Sequence, residues 1–192
     1  MTAIVKYNAG NTASVKNALD RLGCSCKITD DKDEILSAEK VIFPGVGEAS
    51  SAMRYLRKEN MHTLISSLKQ PVLGICLGLQ LMCKSSEEGD AECLGIFDTE
   101  VKLFPPAGIV PHMGWNSLRE IKSPLFNGIE PVHDFYFVHS YYAGLCPETV
   151  AVCDYIVPFA AAISKNNFYA TQFHPEKSAS TGERILKNFL EL

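Results

Sequence analysis

Apolar positions change their period along this 192-residue chain, and in the first half two periods alternate. Ala3 to Tyr7 is a short run of strand character that ends in Asn8-Ala9-Gly10-Asn11. Val15, Ala18, Leu19 and Leu22 then fall on one face of a helix that Gly23 stops. Cys24 to Thr29 predicts a second strand, and Asp30 and Asp31 are placed to cap a short helix through Ile35 and Leu36. Lys40 to Phe43 predicts a third strand, cut off by Pro44-Gly45-Val46-Gly47. Helical spacing resumes with Met53 and Leu56, and again with Leu64, Ile65 and Leu68. A fourth strand over 71–75 runs into Cys76. Strands alternating with helices at these lengths predict a parallel, doubly wound α/β sheet.

The second half has a different rhythm. Ser85-Ser86-Glu87-Glu88-Gly89-Asp90 reads as a polar loop. Strand-like runs follow at Glu100 to Phe104, Phe135 to Val138, Val150 to Tyr155, Ala160 to Ser164 and Phe168 to Phe173. Pro105-Pro106, Asn127-Gly128 and Asn166-Asn167 supply turns between them, which predicts additional antiparallel strands beside the parallel sheet. A last helix, Thr181 to Leu190, carries Ile185, Leu186 and Phe189 on one face. No repeat or linker interrupts the chain, so a single domain over 1–192 is expected.

Composition narrows the class. A 46% hydrophobic and 21% charged content is that of a soluble globular protein. The net charge of −4 without a basic block argues against nucleic acid as a partner. No apolar run is long enough to cross a membrane, and the N-terminus lacks the pattern of a signal peptide. Seven cysteines at irregular spacing point to a reducing, cytoplasmic setting rather than a disulfide framework. Cys24-Ser25-Cys26 has no zinc-ligand partner and reads as a pair of buried strand cysteines; no metal site and no cofactor are expected.

The chemistry starts at Gly74-Ile75-Cys76-Leu77-Gly78, a strand-to-helix elbow with cysteine in the nucleophile position. The turn forces strained backbone angles, the flanking glycines relieve crowding, and the following helix start favours a thiolate. The motif alone fits a buried packing cysteine equally well. The deciding partner is His174, in Gln172-Phe173-His174-Pro175-Glu176 at the end of an apolar strand. Groups at the carboxyl ends of parallel strands share one crevice. Pro175 keeps His174 extended, so His174 and Glu176 are expected on the same side, imidazole to thiol and carboxylate to imidazole. His62 reads as solvated, and His133 has no evident partner. Acyl transfer also needs oxyanion donors: the Leu77 N–H is one, and the Gly45-Val46-Gly47 backbone is a source of the second.

Gly74-Ile75-Cys76-Leu77-Gly78-Leu79-Gln80 together with Phe173-His174-Pro175-Glu176 resembles the class I (triad) glutamine amidotransferases. Pro111-His112-Met113-Gly114-Trp115-Asn116, Tyr136-Phe137-Val138-His139-Ser140-Tyr141 and His174-Pro175-Glu176-Lys177-Ser178 resemble the glutaminase subunits of imidazole glycerol phosphate synthases, over essentially the whole chain. The resemblance implies the single-domain class I amidotransferase fold and glutaminase activity, with Cys76 as nucleophile, His174 as acid and base, and Glu176 as orienter. It implies an oxyanion site at Leu77 with Val46 or Gly47, and glutamine binding by Gly47, Leu77, Gln80, Ser140 and Tyr141. It also implies a heterodimer with a (β/α)8-barrel cyclase that takes up the ammonia in histidine biosynthesis, met through Asn11, Met113, Trp115 and Lys177. Asn11-Thr12-Ala13-Ser14 departs from the family where a bulkier or basic residue is usual after the Gly-Asn pair.

Three other readings compete. A glutaminase serving another acceptor, such as pyridoxal phosphate synthase, does not account for the segment around Trp115. A cysteine hydrolase of esters or peptides needs neither Gln80 nor a partner. A non-catalytic module of the same fold would have lost Cys76, His174 or Glu176, and all three are present.

Overall fold

The computed structural model describes residues 1–192 and builds the expected alternation. In chain order the elements are β1 (Thr2–Val5), α1 (Thr12–Arg21), β2 (Cys26–Thr29), α2 (Lys32–Ser37), β3 (Lys40–Gly45), α3 (Ala49–Lys58), α4 (Met61–Ser67), β4 (Val72–Cys76) and α5 (Leu77–Met82). Then come β5 (Ser85–Ser86), β6 (Ala91–Glu92), β7 (Glu100–Leu103), β8 (His112–Ser117), β9 (Asp134–His139), β10 (Tyr141–Ala143), β11 (Thr149–Asp154), β12 (Pro158–Lys165), β13 (Phe168–Thr171) and α6 (Ala179–Leu190).

Seven strands form the central sheet in the order β11-β12-β13-β4-β3-β1-β2. The run from β13 to β2 is parallel, and β11 and β12 add antiparallel to one side. Strand residues alternate between two cores: Val41 and Phe43 pack with α3 and α4, whereas Ile42 packs with α1 and α6. Both faces are covered, which is why the central strands read as continuous apolar runs. β10-β7-β5-β6 make a smaller sheet, and β8 and β9 pair antiparallel as a separate ribbon.

Asp31 caps α2 as expected, accepting from the Asp33 and Glu34 N–H groups at 2.9 and 3.0 Å. Four short strands were not evident in the pattern. β5 lies inside the stretch read as a polar loop, and β6, β8 and β10 are too short or too polar to show a period. β3 continues through Pro44 and Gly45, beyond the expected end at Phe43. β1 pairs with β3 only as far as Ile42, so the missing Pro44 N–H breaks no ladder, and β4 carries the strand on to Gly45 opposite Cys76. Cys24 and Cys26 are not buried, as the sequence reading had them; both are half-buried because β2 is the outermost strand of the sheet.

The backbones of α5 and β3 approach closely where α5 leaves β4. A Cβ on Gly78 would lie 1.9 Å from the Phe43 carbonyl oxygen, and one on Gly74 would lie 3.0 Å from the Gly78 backbone. Gly78→Ala should therefore cost on the order of 3 kcal/mol by denaturant unfolding, because backbone rather than a yielding side chain stands in the way. A loss below about 0.5 kcal/mol would contradict this packing.

Candidate active site

Cys76 ends β4 with φ 52° and ψ −103°, a region that a residue with a side chain occupies only when its surroundings hold it there. It is 6% exposed. Leu77 is the first residue of α5, so its N–H is among those a helix leaves without an internal partner. Cys76, Leu77, Gln80, Val46, Gly47, Ser140 and Tyr141 line one cleft of about 300 Å³. The structure thus gathers in a single cavity every residue the sequence assigned to nucleophile, oxyanion site or glutamine binding.

His174 and Glu176 lie behind that cleft. Their side chains are fully buried, and His174 Nδ1 donates to Glu176 Oε1 at 2.7 Å. The route differs from the extended one expected: His174 is extended at φ −99°, ψ 96°, but Pro175–Lys177 then turn as a 3-10 helix and carry the carboxylate back under the ring. The turn is tied down by the His174 N–H to Tyr136 carbonyl bond (2.9 Å) and by the Ser178 hydroxyl to the His174 carbonyl (2.7 Å). Because Nδ1–H is committed to Glu176, Nε2 is the nitrogen left for the sulfur; it is buried and has no hydrogen-bond partner. Burial opposes a charge on the ring, but the Cys76 sulfur, and then Glu176, outweigh it and lift the His174 pKa to about 10. A proton is thereby held on the imidazole beside the sulfur, the arrangement in which a base activates a cysteine.

The residues assigned to a partner surface divide. Met113 and Trp115 on β8 are 62% and 54% exposed, and Lys177 is exposed at the end of its turn. Asn11 is half-buried, and its amide donates to Glu176 Oε1, so it meets the His174–Glu176 pair rather than standing free on the surface. His62 is half-buried rather than solvated, with Nδ1 3.4 Å from the Leu56 carbonyl. Exposed His133 does have a local partner, its ring nitrogen meeting the Glu130 backbone N–H at 3.0 Å.

Four residues of the site were missed. Glu88 lines the cleft and accepts the Ala49 N–H at 2.8 Å. Its own burial, with Glu48 adding, holds its pKa above the usual carboxylate value against that bond. Nothing distinguishes it within an acidic loop sequence. Gln172 is fully buried and reaches the Cys76 sulfur; its spacing of two from His174 was a usable signal. His139 and His112 face each other across β8 and β9, with His112 Nδ1 3.0 Å from His139 Nε2. His139 Nδ1 donates to the Tyr141 carbonyl at 2.7 Å, which makes Nε2 the acceptor and His112 Nδ1 the donor.

The family model for glutamine amidotransferase class-I matches residues 3–192. The chain belongs to the class-I glutamine amidotransferase family. It is 58% identical to the imidazole glycerol phosphate synthase subunit HisH of Bacteroides fragilis strain YCH46, covering 99% of this chain and 98% of that one. It is 45% identical to the subunit of the same name from Vibrio cholerae, over 98% and 97% of the two chains. Within the family, therefore, it groups with the HisH subunits. A crystal structure of a glutamine amidotransferase shares the fold with a TM-score of 0.75 at 18% identity, covering 99% of this chain and 97% of that one. The structure of PurLQS from Thermotoga maritima does so with a TM-score of 0.75 at 16% identity and the same coverage.

The histidine pair gives a pH prediction. Burial pushes His112 down to about 4. Burial, opposed by the Tyr141 carbonyl and helped by His112 and His174, pushes His139 down to about 3. Both stay neutral in the fold while the unfolded chain takes up protons below about 6.5, so stability is full above that pH and falls on acidification towards 4. Unfolding at pH 7 and pH 5 should differ by on the order of 2 kcal/mol, and His112→Phe should shrink the difference. An unchanged difference in that variant would rule the pair out as the source.

Proposed function

We propose that this chain hydrolyses L-glutamine to glutamate and ammonia through a Cys76 thioester, as the glutaminase subunit of an imidazole glycerol phosphate synthase. The observation that carries the reading is the cysteine held at positive φ over a cleft, with a buried His174–Glu176 pair behind its sulfur. The thiolate attacks the carboxamide carbon, and the Leu77 N–H with a backbone N–H of Val46 or Gly47 receives the oxyanion. His174 gives its proton to the nitrogen as the C–N bond breaks, so ammonia leaves and the acyl group stays on sulfur. Neutral His174 then takes a proton from water as the water oxygen attacks the thioester, and keeps it as the thiolate departs, so glutamate is released and the thiolate and protonated imidazole of the first step are restored. Glu176 keeps the imidazole oriented throughout.

Glutamine binding falls to Gly47, Leu77, Gln80, Ser140 and Tyr141, which line the cleft with Glu88. Gln80 Nε2 points into the protein, towards Tyr141 O (2.9 Å) and Gln172 Oε1 (3.1 Å), so its carbonyl oxygen is the atom free to meet a substrate N–H. The curated relatives are named as subunits of a synthase, which supports a cyclase partner. That partner is a (β/α)8 barrel forming a heterodimer with this chain in the cytoplasm. It uses the ammonia to make imidazole glycerol phosphate and aminoimidazole carboxamide ribotide. Exposed Met113 and Trp115 with Lys177 and Asn11 form the docking face; an exposed tryptophan beside methionine has the composition of an interface anchor. No helix is long and apolar enough to cross a membrane.

Cys76→Ala tests the mechanism. Glutamine hydrolysis should fall by about 10⁴-fold or more, while co-elution with the cyclase and the thermal midpoint stay as in the parent. Glutaminase activity retained in that variant would rule out Cys76 as the nucleophile.

A further inference from the structure

A continuous buried chain of hydrogen bonds runs from the nucleophile to the β8–β9 ribbon, and the triad does not use it. Gln172 is fully buried, and its Nε2 donates to Cys76 Sγ at 3.6 Å, within the range of a sulfur acceptor. Gln172 Oε1 accepts from Gln80 Nε2 at 3.1 Å, and the same Gln80 nitrogen donates to the Tyr141 carbonyl at 2.9 Å. That carbonyl also accepts from His139 Nδ1 at 2.7 Å, and His139 Nε2 accepts from His112 Nδ1 at 3.0 Å.

The polarity of this chain is not free. A main-chain carbonyl can only accept, so the Tyr141 oxygen commits Gln80 to presenting its NH₂ group inwards. The second N–H of that group must find an acceptor, which orients the Gln172 amide with its oxygen towards Gln80. Its NH₂ group is then turned on the sulfur and cannot be replaced there by the oxygen without setting two acceptors face to face. A donor fixed in this way discriminates between forms of the sulfur. It bonds weakly to a neutral thiol or thioester and strongly to a thiolate.

We infer that Gln172 is a further catalytic residue: its side-chain N–H, aimed by Gln80 and the Tyr141 carbonyl, stabilises the Cys76 thiolate both as nucleophile and as leaving group. The inference rests on Cys76 as the nucleophile. No proton moves through Gln172; the proton passes between sulfur and His174, and Gln172 supplies only the bond that strengthens as negative charge appears. Gln80, Tyr141 and His139 are positioning residues, because they act through the Gln172 amide. The other ionisable groups around the sulfur are His174 from the turn after β13, Tyr7 from the segment after β1, and Glu88 across the cleft. None is changed by substituting Gln172.

The test is the pH dependence of Cys76 alkylation by iodoacetamide in the full chain, read peptide by peptide because seven cysteines are present. Gln172→Met keeps the length and loses the donor. The midpoint of its alkylation profile should move up by about one pH unit, and kcat for glutamine should fall by about tenfold with KM little changed. Gln80→Met, which frees the Gln172 amide to turn, should move the midpoint in the same direction by less, and it carries the test if Gln172→Met does not fold. Profiles that coincide with the parent in folded variants would overturn the inference while leaving Cys76 as the nucleophile. Glutaminase activity surviving in Cys76→Ala would instead remove the reading on which it rests.

Discussion

The closeness of α5 to β3 is the constraint on which the site depends. The helix begins in the residue after Cys76, and its second residue, Gly78, lies against the Phe43 carbonyl with no room for a side chain. That contact is what bends the chain sharply enough to push Cys76 to positive φ and turn its sulfur out at the carboxyl edge of the sheet. It also brings Gly45 level with Cys76, so the loop that follows, Val46-Gly47, borders the same cleft. Gly45 is crowded in turn: a Cβ there would meet the Tyr7 hydroxyl at 2.2 Å. One tight contact thereby sets Cys76, the helix start and the glycine loop in register.

Around that point, three histidines of one ring chemistry are held in opposite states. His112 and His139 are buried among Phe104, Phe137, Phe159 and each other, with only neutral acceptors, and both are pushed towards the neutral form. His174 is as deeply buried but lies between a sulfur and a carboxylate, and it is pushed towards the charged form. Burial alone penalises the charge in all three, so the sign is decided by which partners burial encloses. The neutral pair can then serve as a fixed hydrogen-bond donor line to Tyr141, while His174 serves as a store for one proton.

Much of this was legible in the sequence, for identifiable reasons. The central strands are covered on both faces and therefore appear as apolar runs, and the longer helices bury a single stripe that appears as a 3.6-residue period. Cys76 stands out because glycines flank it two residues away on each side, and His174 and Glu176 because a proline separates them. The short strands β5, β6, β8 and β10 were not visible because two to six residues of mixed polarity carry no period; they are strands only by virtue of what they pair with. Gln172, Glu88 and His139 were missed because their roles come from side chains meeting across distant segments. Across the 96 residues between Gln172 and Cys76, the only mark of their contact is the spacing of two between Gln172 and His174. The turn of Pro175–Lys177 shows the reverse case, where two side chains that do meet were paired through an extended geometry that the chain does not adopt.

The central claim is that one sulfur among seven is set apart by its surroundings and acts on the glutamine side chain. The most direct measurement is covalent labelling with a glutamine analogue that carries an electrophilic carbon in place of the carboxamide, followed by peptide mass spectrometry. The account predicts that the adduct sits on Cys76 alone and that excess L-glutamine suppresses it in parallel with loss of activity. Labelling spread over the half-buried Cys24, Cys26 and Cys146, or labelling of Cys76 that glutamine does not slow, would contradict it.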